Sequence, residues 1–239
     1  MKIESTSNSL YKKLLSLTKS KGIKENSQSI VSGEKITLEI AKLAKIDSFW
    51  ITTDKMSLPS GQWNKTITLS SSLFKELDVC GTNKPLLCAD TPDFEDITQL
   101  NPDEATLYVG LSDPTNLGAL IRTCAAFEWK QIVLLKQAAH PFLPKAIRAA
   151  SGTCFATNFF KGPSIDDLND PEIIALDMKG KVIGKSDIKS NMKILVGEEG
   201  QGVPDTFNGQ RLQIPISNKV ESLNATIATS LLIYEWSQL

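Results

Sequence analysis

Ser222-Leu223-Asn224, taken with the Ile214-Pro215-Ile216 that precedes it, has the makings of a small-molecule cradle. An apolar strand end, a proline, a short polar loop and a helix start describe a turn with much unpaired main chain at its tip. Such groups hold small polar ligands through N–H and C=O contacts. Either Ser222 or Asn224 can accept hydrogen bonds from the first amides of the helix. Read alone, the stretch is better described as a well-capped helix start.

Two further segments carry chemistry. Asp113-Pro114 ends an apolar stretch, and Thr115 or Asn116 can cap the helix that follows. Leu117, Leu120, Ile121 and Cys124 then mark a buried face, while Gly118 and Arg122 share the other one. A helical glycine costs up to about 1 kcal/mol relative to alanine, which points to close approach of something to the backbone there. The other segment is Ile194-Leu195-Val196 followed by Gly197-Glu198-Glu199-Gly200-Gln201-Gly202. A glycine-rich loop after a strand ordinarily reads as a phosphate cradle. Here two adjacent carboxylates and no Lys, Ser or Thr repel an anion, so the loop suits a cationic ligand or an arginine such as Arg122. A plain tight turn with solvated glutamates is the simpler alternative.

The elements that must position these residues follow from patterning. Strands at Ala105–Leu111, Gln131–Leu135, Glu172–Leu176 and Lys193–Val196 alternate with helical stretches, which implies a parallel sheet covered on both faces. Before them, a compact α/β unit is expected. Its helices are on Leu10–Leu17, Glu34–Lys45 and Ser72–Leu77, and its strands are near Ser29, Phe49, Thr66 and Pro85. An acidic, proline-bearing stretch from 90 to 104 reads as the linker, and the boundary is drawn between residues 98 and 99.

Composition narrows the function classes. The 239 residues carry 26 basic and 27 acidic side chains, and six of those lysines fall within residues 1 to 24, where Glu4 is the one acid. That cluster is either a solvated helix face or an RNA contact. Cys80, Cys88, Cys124 and Cys154 have neither CxxC nor metal-ligand spacing, which fits reduced thiols in a cytoplasmic protein and no metal. No apolar run approaches a membrane span. His140 is the single histidine, beside Pro141, and reads as a loop residue, leaving no Ser-His-Asp or Cys-His device.

In this order the three segments resemble the SpoU (TrmH-type) branch of the SPOUT methyltransferases. Asn116, Gly118 and Arg122 match its first motif, and Gly197, Glu199, Gly200 and Gly202 its second. Ile214, Pro215, Ser222, Leu223 and Asn224 match its third. The resemblance implies an α/β protein: a C-terminal domain, residues 99–239, with a parallel sheet tied in a deep trefoil knot, and a homodimer with active sites at the subunit interface. It implies methyl transfer from S-adenosylmethionine to a ribose 2′-hydroxyl of RNA, ribosomal RNA ahead of transfer RNA. Cofactor contacts would come from Leu195, Gly197, Ile214, Ile216, Ser222, Leu223 and Asn224. Arg122, Asn116, Glu199 and Ser222 would serve catalysis, with Glu199 positioning Arg122 or the loop.

Residues 1–98 resemble the substrate-binding domain that often precedes this fold, itself similar to ribosomal proteins that bind kinked RNA. Asn8, Lys12 and Lys13, with Asn116 and Arg122, are the RNA-binding candidates. The chain departs from the family pattern at Ser32, where glutamate is common, and at Glu128, where glycine often stands. Two rival readings are a transfer-RNA ribose or base methyltransferase of the same superfamily, and an RNA-binding or assembly protein that keeps the fold without turnover.

Overall fold

The computed structural model describes residues 1–43, 47–61, 63 and 65–239. Lys45, expected at the end of a helix, lies outside them. The chain forms two compact units, one of Met1–Asp93 with His140–Phe155 and the other of Phe94–Ala139 with Ala156–Leu239. The single boundary read from sequence falls near the first of these breaks. Residues 140–155 lie within the first unit.

In chain order the strands and helices of the first unit are β1 (Lys2–Ile3), α1 (Ser9–Ser16), α2 (Ser20–Asn26), β2 (Gln28–Val31), α3 (Glu34–Ala41), β3 (Ser48–Thr52), β4 (Thr66–Leu69), α4 (Ser71–Leu77) and β5 (Leu86–Asp90). Its sheet runs β1-β4-β3-β5-β2, with β5 antiparallel to both neighbours. Tyr11, Leu14 and Leu17 recur at helical spacing and are buried against Ile51, Ile67, Leu73 and Phe74. Asn8 starts α1, its Oδ1 accepting from the Leu10 and Tyr11 amides at 2.9 and 3.2 Å.

The second unit adds β6 (Glu95–Asp96), β7 (Thr106–Val109), α5 (Pro114–Ala126), β8 (Gln131–Leu134), β9 (Asn158–Lys161), β10 (Ile173–Val182), β11 (Lys193–Val196), β12 (Gln210–Gln213) and α7 (Ala225–Trp236). The remaining helix, α6 (Pro144–Ala149), belongs to the first unit and packs on β2. In the same segment Gly152, at φ +81°, sits so close to Ile36 that an added Cβ would stand 3.0 Å from its Cγ2.

The seven-stranded sheet has the order β12-β10-β11-β7-β8-β9-β6, and all its pairings are parallel. All four residues of β7 and of β8 are buried, as expected for strands covered on both faces. The acidic stretch from 90 to 104 is more than a linker. Glu95 and Asp96 pair with β9 as an edge strand, Phe94 packs on Phe159 at 5.7 Å, and the Asn101 amide donates to Gln131. Charged residues suit such an edge because they oppose further strand pairing.

β10 also exceeds expectation. It continues past Leu176 to Val182 and pairs with β12 in two registers, Leu212 facing first Leu176 and then Lys181. Residues 177 to 180 bulge out between the two. Gly180 lets the backbones touch, since a Cβ there would lie 2.5 Å from the Arg211 carbonyl carbon.

Candidate functional site

The site grows from the carboxyl ends of β7 and β11, where a parallel sheet presents its loops to ligands. Pro114 occupies the first turn of α5, and Asp113 caps it, its Oδ1 accepting from the Thr115 and Asn116 amides at 2.9 and 2.8 Å. The cap is therefore Asp113, not Thr115 or Asn116. The helix begins at the proline, whose fixed φ and missing N–H suit that position. Asn116 is thereby free to make other contacts.

Glu199 uses that freedom. Its carboxylate accepts from the Ser112 amide (2.8 Å), the Ser112 hydroxyl (3.0 Å), the Asp113 amide (3.4 Å) and the Asn116 side-chain amide (3.3 Å). Glu199 thus holds the segment before α5, which was not among its expected targets, and makes no hydrogen bond or ion pair with Arg122 among the described residues. Arg122 is exposed and has no hydrogen bond or ion pair to the described residues. Gly118 is buried, so it does not share the solvent-facing side of Arg122.

The third segment closes the network. Asn224 caps α7, accepting from the Thr226 and Ile227 amides at 2.9 and 3.3 Å, and its Nδ2 donates to Asn116 Oδ1 at 3.4 Å. The Thr226 hydroxyl donates to the Asn116 carbonyl at 3.1 Å, and Thr123 and Ser230 hydroxyls meet at 3.1 Å. Small residues on α7 thus admit α5 to close range. Ser222 is exposed and takes no part in this cap.

Beside the network lies a cleft lined by Gly197, Ile214, Ile216 and Leu223, four of the residues expected to contact a cofactor, together with Asp177, Met178 and Glu198. Neither Ile214 nor Ile216 pairs its main chain with another backbone group among the described residues. Gly197 gives the cleft its narrow wall, because a Cβ on it would stand 2.4 Å from the Gly202 carbonyl oxygen. Leu195, two residues before Gly197, lies within the core beside Tyr108 and Ala175 and does not line the cleft. Asn224 and Ser222 stand outside its lining.

Among the described residues no lysine, arginine or histidine lines this cleft, whereas two carboxylate-bearing residues do. Apolar walls, free main-chain groups and acidic side chains fit a ligand with a cationic centre and no phosphate. Sequence reasoning missed Asp177 and Met178, which reach the cleft through the bulge of β10. A bulge leaves little trace in residue pattern, although the glycine at 180 marks a close backbone approach.

The other candidates lie in the first unit. Asn8 is occupied in capping α1, Lys12 is exposed and Lys13 is half-buried. His140 is a buried loop residue whose Nδ1 accepts from the Phe142 amide. Its pKa is lowered to about 4 by burial, with Lys24 adding to the shift. Among the described residues no group of three or more His, Cys, Asp or Glu could hold a metal ion, and no helix is long and apolar enough to cross a membrane.

Residues 106–234, more than half of the chain, match the SpoU rRNA Methylase family. The chain belongs to this family. It is 36% identical to a protein of Syntrophobacter fumaroxidans named ribosomal RNA small subunit methyltransferase G 2, over 99% of this chain but 49% of that protein. It is 29% identical to the Acinetobacter baylyi 23S rRNA (guanosine-2′-O-)-methyltransferase RlmB, over 59% of this chain and 63% of the relative. The chain therefore spans less than two thirds of either relative, and the first one's name describes a protein about twice as long. Among solved structures, the SpoU methyltransferase AviRb from Streptomyces viridochromogenes, in complex with AdoMet, has a TM-score of 0.79 at 18% identity, with 97% of each chain covered. The AdoMet-bound rRNA methyltransferase from Sinorhizobium meliloti has a TM-score of 0.74 at 21% identity, covering 100% of this chain. At such identities these two share the fold with this SpoU family member.

Proposed function

We propose that this SpoU family member transfers a methyl group from S-adenosylmethionine to a ribose 2′-hydroxyl of RNA, most simply ribosomal RNA. The observation that carries this reading is the network in which Glu199, Asn116 and Asn224, one from each motif, bond to one another beside an acidic, phosphate-averse cleft. The cofactor, when bound, supplies an electrophilic methyl on a sulfonium. Gly197, Ile214, Ile216 and Leu223 would hold it, largely through main chain, and Glu198 would favour its positive charge.

The residues of α5 then act on the RNA. Asn116 is oriented from both sides, by Glu199 on its amide nitrogen and by Asn224 on its oxygen, so it can present a fixed dipole to a ribose. Arg122 stands exposed on the same helix. A guanidinium does not give up its proton near neutral pH, so its role is to stabilise the developing alkoxide or grip a neighbouring phosphate. In-line positioning of the hydroxyl supplies much of the remaining rate.

A homodimer belongs to the same reading. Ile227, Leu231 and Tyr234 recur along α7 at one helical face and are 54%, 45% and 49% exposed, while Thr226, Thr229, Leu232 and Ile233 are buried on the other. A helix apolar on both sides is one that expects cover on both. The knot implied by the family resemblance is supported by strand order, since the chain leaves β11 and returns to the far side of β10 as β12. Asn8, Lys12 and Lys13 would meet RNA from the first unit.

The deciding experiment incubates the protein and labelled S-adenosylmethionine with ribosomal and transfer RNA fractions and identifies the labelled nucleoside by mass spectrometry. A ribose-methylated nucleoside in the ribosomal fraction is expected. A labelled base, or label in transfer RNA alone, would move the protein to a sister activity. Absence of label and of cofactor binding, together with tight RNA binding, would mark a non-catalytic RNA binder.

A further inference from the structure

Arg211, on β12, is outside the three motifs and outside the cleft lining, yet it joins both walls of the cleft. Its Nη1 pairs with the Asp177 carboxylate in the bulge of β10 and reaches the Val203 carbonyl at 3.4 Å, and its Nη2 donates to the Pro204 carbonyl at 2.5 Å. Val203 and Pro204 end the glycine-rich loop whose Gly197, Glu198 and Gly202 form the facing wall. The guanidinium also lies 5.7 Å from the Phe207 ring, and the two charged side chains are only 16% and 14% exposed. Only a planar fork can serve a carboxylate and two carbonyls on separate segments at once. Asp177 is bound a second time from within the bulge, accepting from the Lys179 amide at 2.9 Å, and Lys179 reaches Asp205 at 2.7 Å.

We infer that Arg211 is a positioning residue: by fastening the bulge of β10 to the end of the glycine-rich loop it sets the width of the cleft, and through it the affinity for the ligand. The inference rests on the reading above for the ligand's identity, S-adenosylmethionine, and on geometry alone for the rest. Because Arg211 pairs with Asp177, it also compensates the charge of that carboxylate.

The test compares the full-length wild-type protein with Arg211→Gln, Arg211→Lys and a control, Lys193→Met. Lys193 makes ion pairs of 2.8 Å with Asp170 and Glu172 near the start of β10, away from the cleft, so it reports the cost of breaking a comparable pair. Calorimetry with S-adenosylmethionine should show affinity about tenfold weaker in Arg211→Gln, an intermediate loss in Arg211→Lys, and no change in Lys193→Met. In parallel, hydrogen exchange in the free protein should quicken at residues 177–180 and 203–205 in the Arg211 variants only. Equal affinity in wild type and both Arg211 variants, whatever their melting temperatures, would overturn the inference. So would unchanged exchange at the bulge. If wild type itself fails to bind the cofactor, the functional reading falls, and exchange still decides whether Arg211 holds the two walls together. Should Arg211→Gln not fold, Arg211→Lys carries the same comparison.

Discussion

The Glu199 carboxylate accepts a 2.8 Å hydrogen bond from the Ser112 amide and a 3.3 Å bond from the Asn116 side chain, so the glycine-rich loop grips the start of α5. Replacing Glu199 by alanine strands several donors at once. The donors reach solvent, so the cost to stability should be near the low end, about 1 kcal/mol by urea unfolding. Methylation should fall far more than cofactor affinity, because the variant frees Asn116 without touching the cleft. Equal losses in both would place Glu199 at the cofactor instead.

Arg122 has no partner among the described residues, so its removal should cost the fold little. Arg122→Ala is expected to lower the methylation rate by ~10²-fold or more, the scale of a lost electrostatic stabiliser. Cofactor affinity measured by calorimetry should stay within a factor of about two. A large drop in that affinity would assign Arg122 to the wrong subsite.

Gly197→Ala is expected to abolish cofactor binding. The added methyl would meet the Gly202 carbonyl at 2.4 Å, a backbone atom that cannot rotate away, so the loop must open. Gly200→Ala is the matching control for free space, since nothing lies within 4 Å of its Cβ position, although its φ of +87° carries a strain of its own. Retention of binding by Gly197→Ala would show that the loop is looser than its packing indicates.

Burial lowers the pKa of His140 from 6.5 to about 4, so the folded chain refuses a proton that the unfolded chain accepts between those values. Stability should therefore decline as pH falls from about 6.5 to about 4, by on the order of 3 kcal/mol, and be indifferent to this group above pH 7. As the single histidine, its imidazole resonance can be followed by NMR without assignment. A titration midpoint near 6.5 would refute the prediction, and His140→Gln should flatten the acid limb.

Much of the second unit was legible because parallel strands buried on both faces leave continuous apolar runs. Lys193–Val196 is a strand as read, and Ala105–Leu111 and Gln131–Leu135 contain β7 and β8. The motif residues Asn116, Glu199 and Asn224 come together in one hydrogen-bonded network, a contact that their order in the chain did not reveal. What escaped was set by tertiary pairing. The bulge at 177–180 depends on a neighbour's register, and Glu95–Asp96 becomes a strand only because β9 is there to receive it. Arg211 gave no signal at all, since an isolated arginine near a proline reads as surface. Glu128, by contrast, explains itself: its φ of +58° is the left-handed conformation that glycine adopts freely, which is why that residue type is common at this place in the family.

The interleaving of the two units bears on how such a chain can change over generations. Because α6 and Gly152 complete the first unit from residues 140–155, that unit is not a cassette bounded by two cuts. A crossover at residue 93 that imported a foreign N-terminal half would bring in a β2 whose covering helix still belonged to the old chain. Ile36 and Ile40, which receive Gly152, would have to fit a partner inherited separately. Exchange of the N-terminal half by recombination is thus penalised at this junction, and the first unit is expected to diversify by point substitution on its outer face.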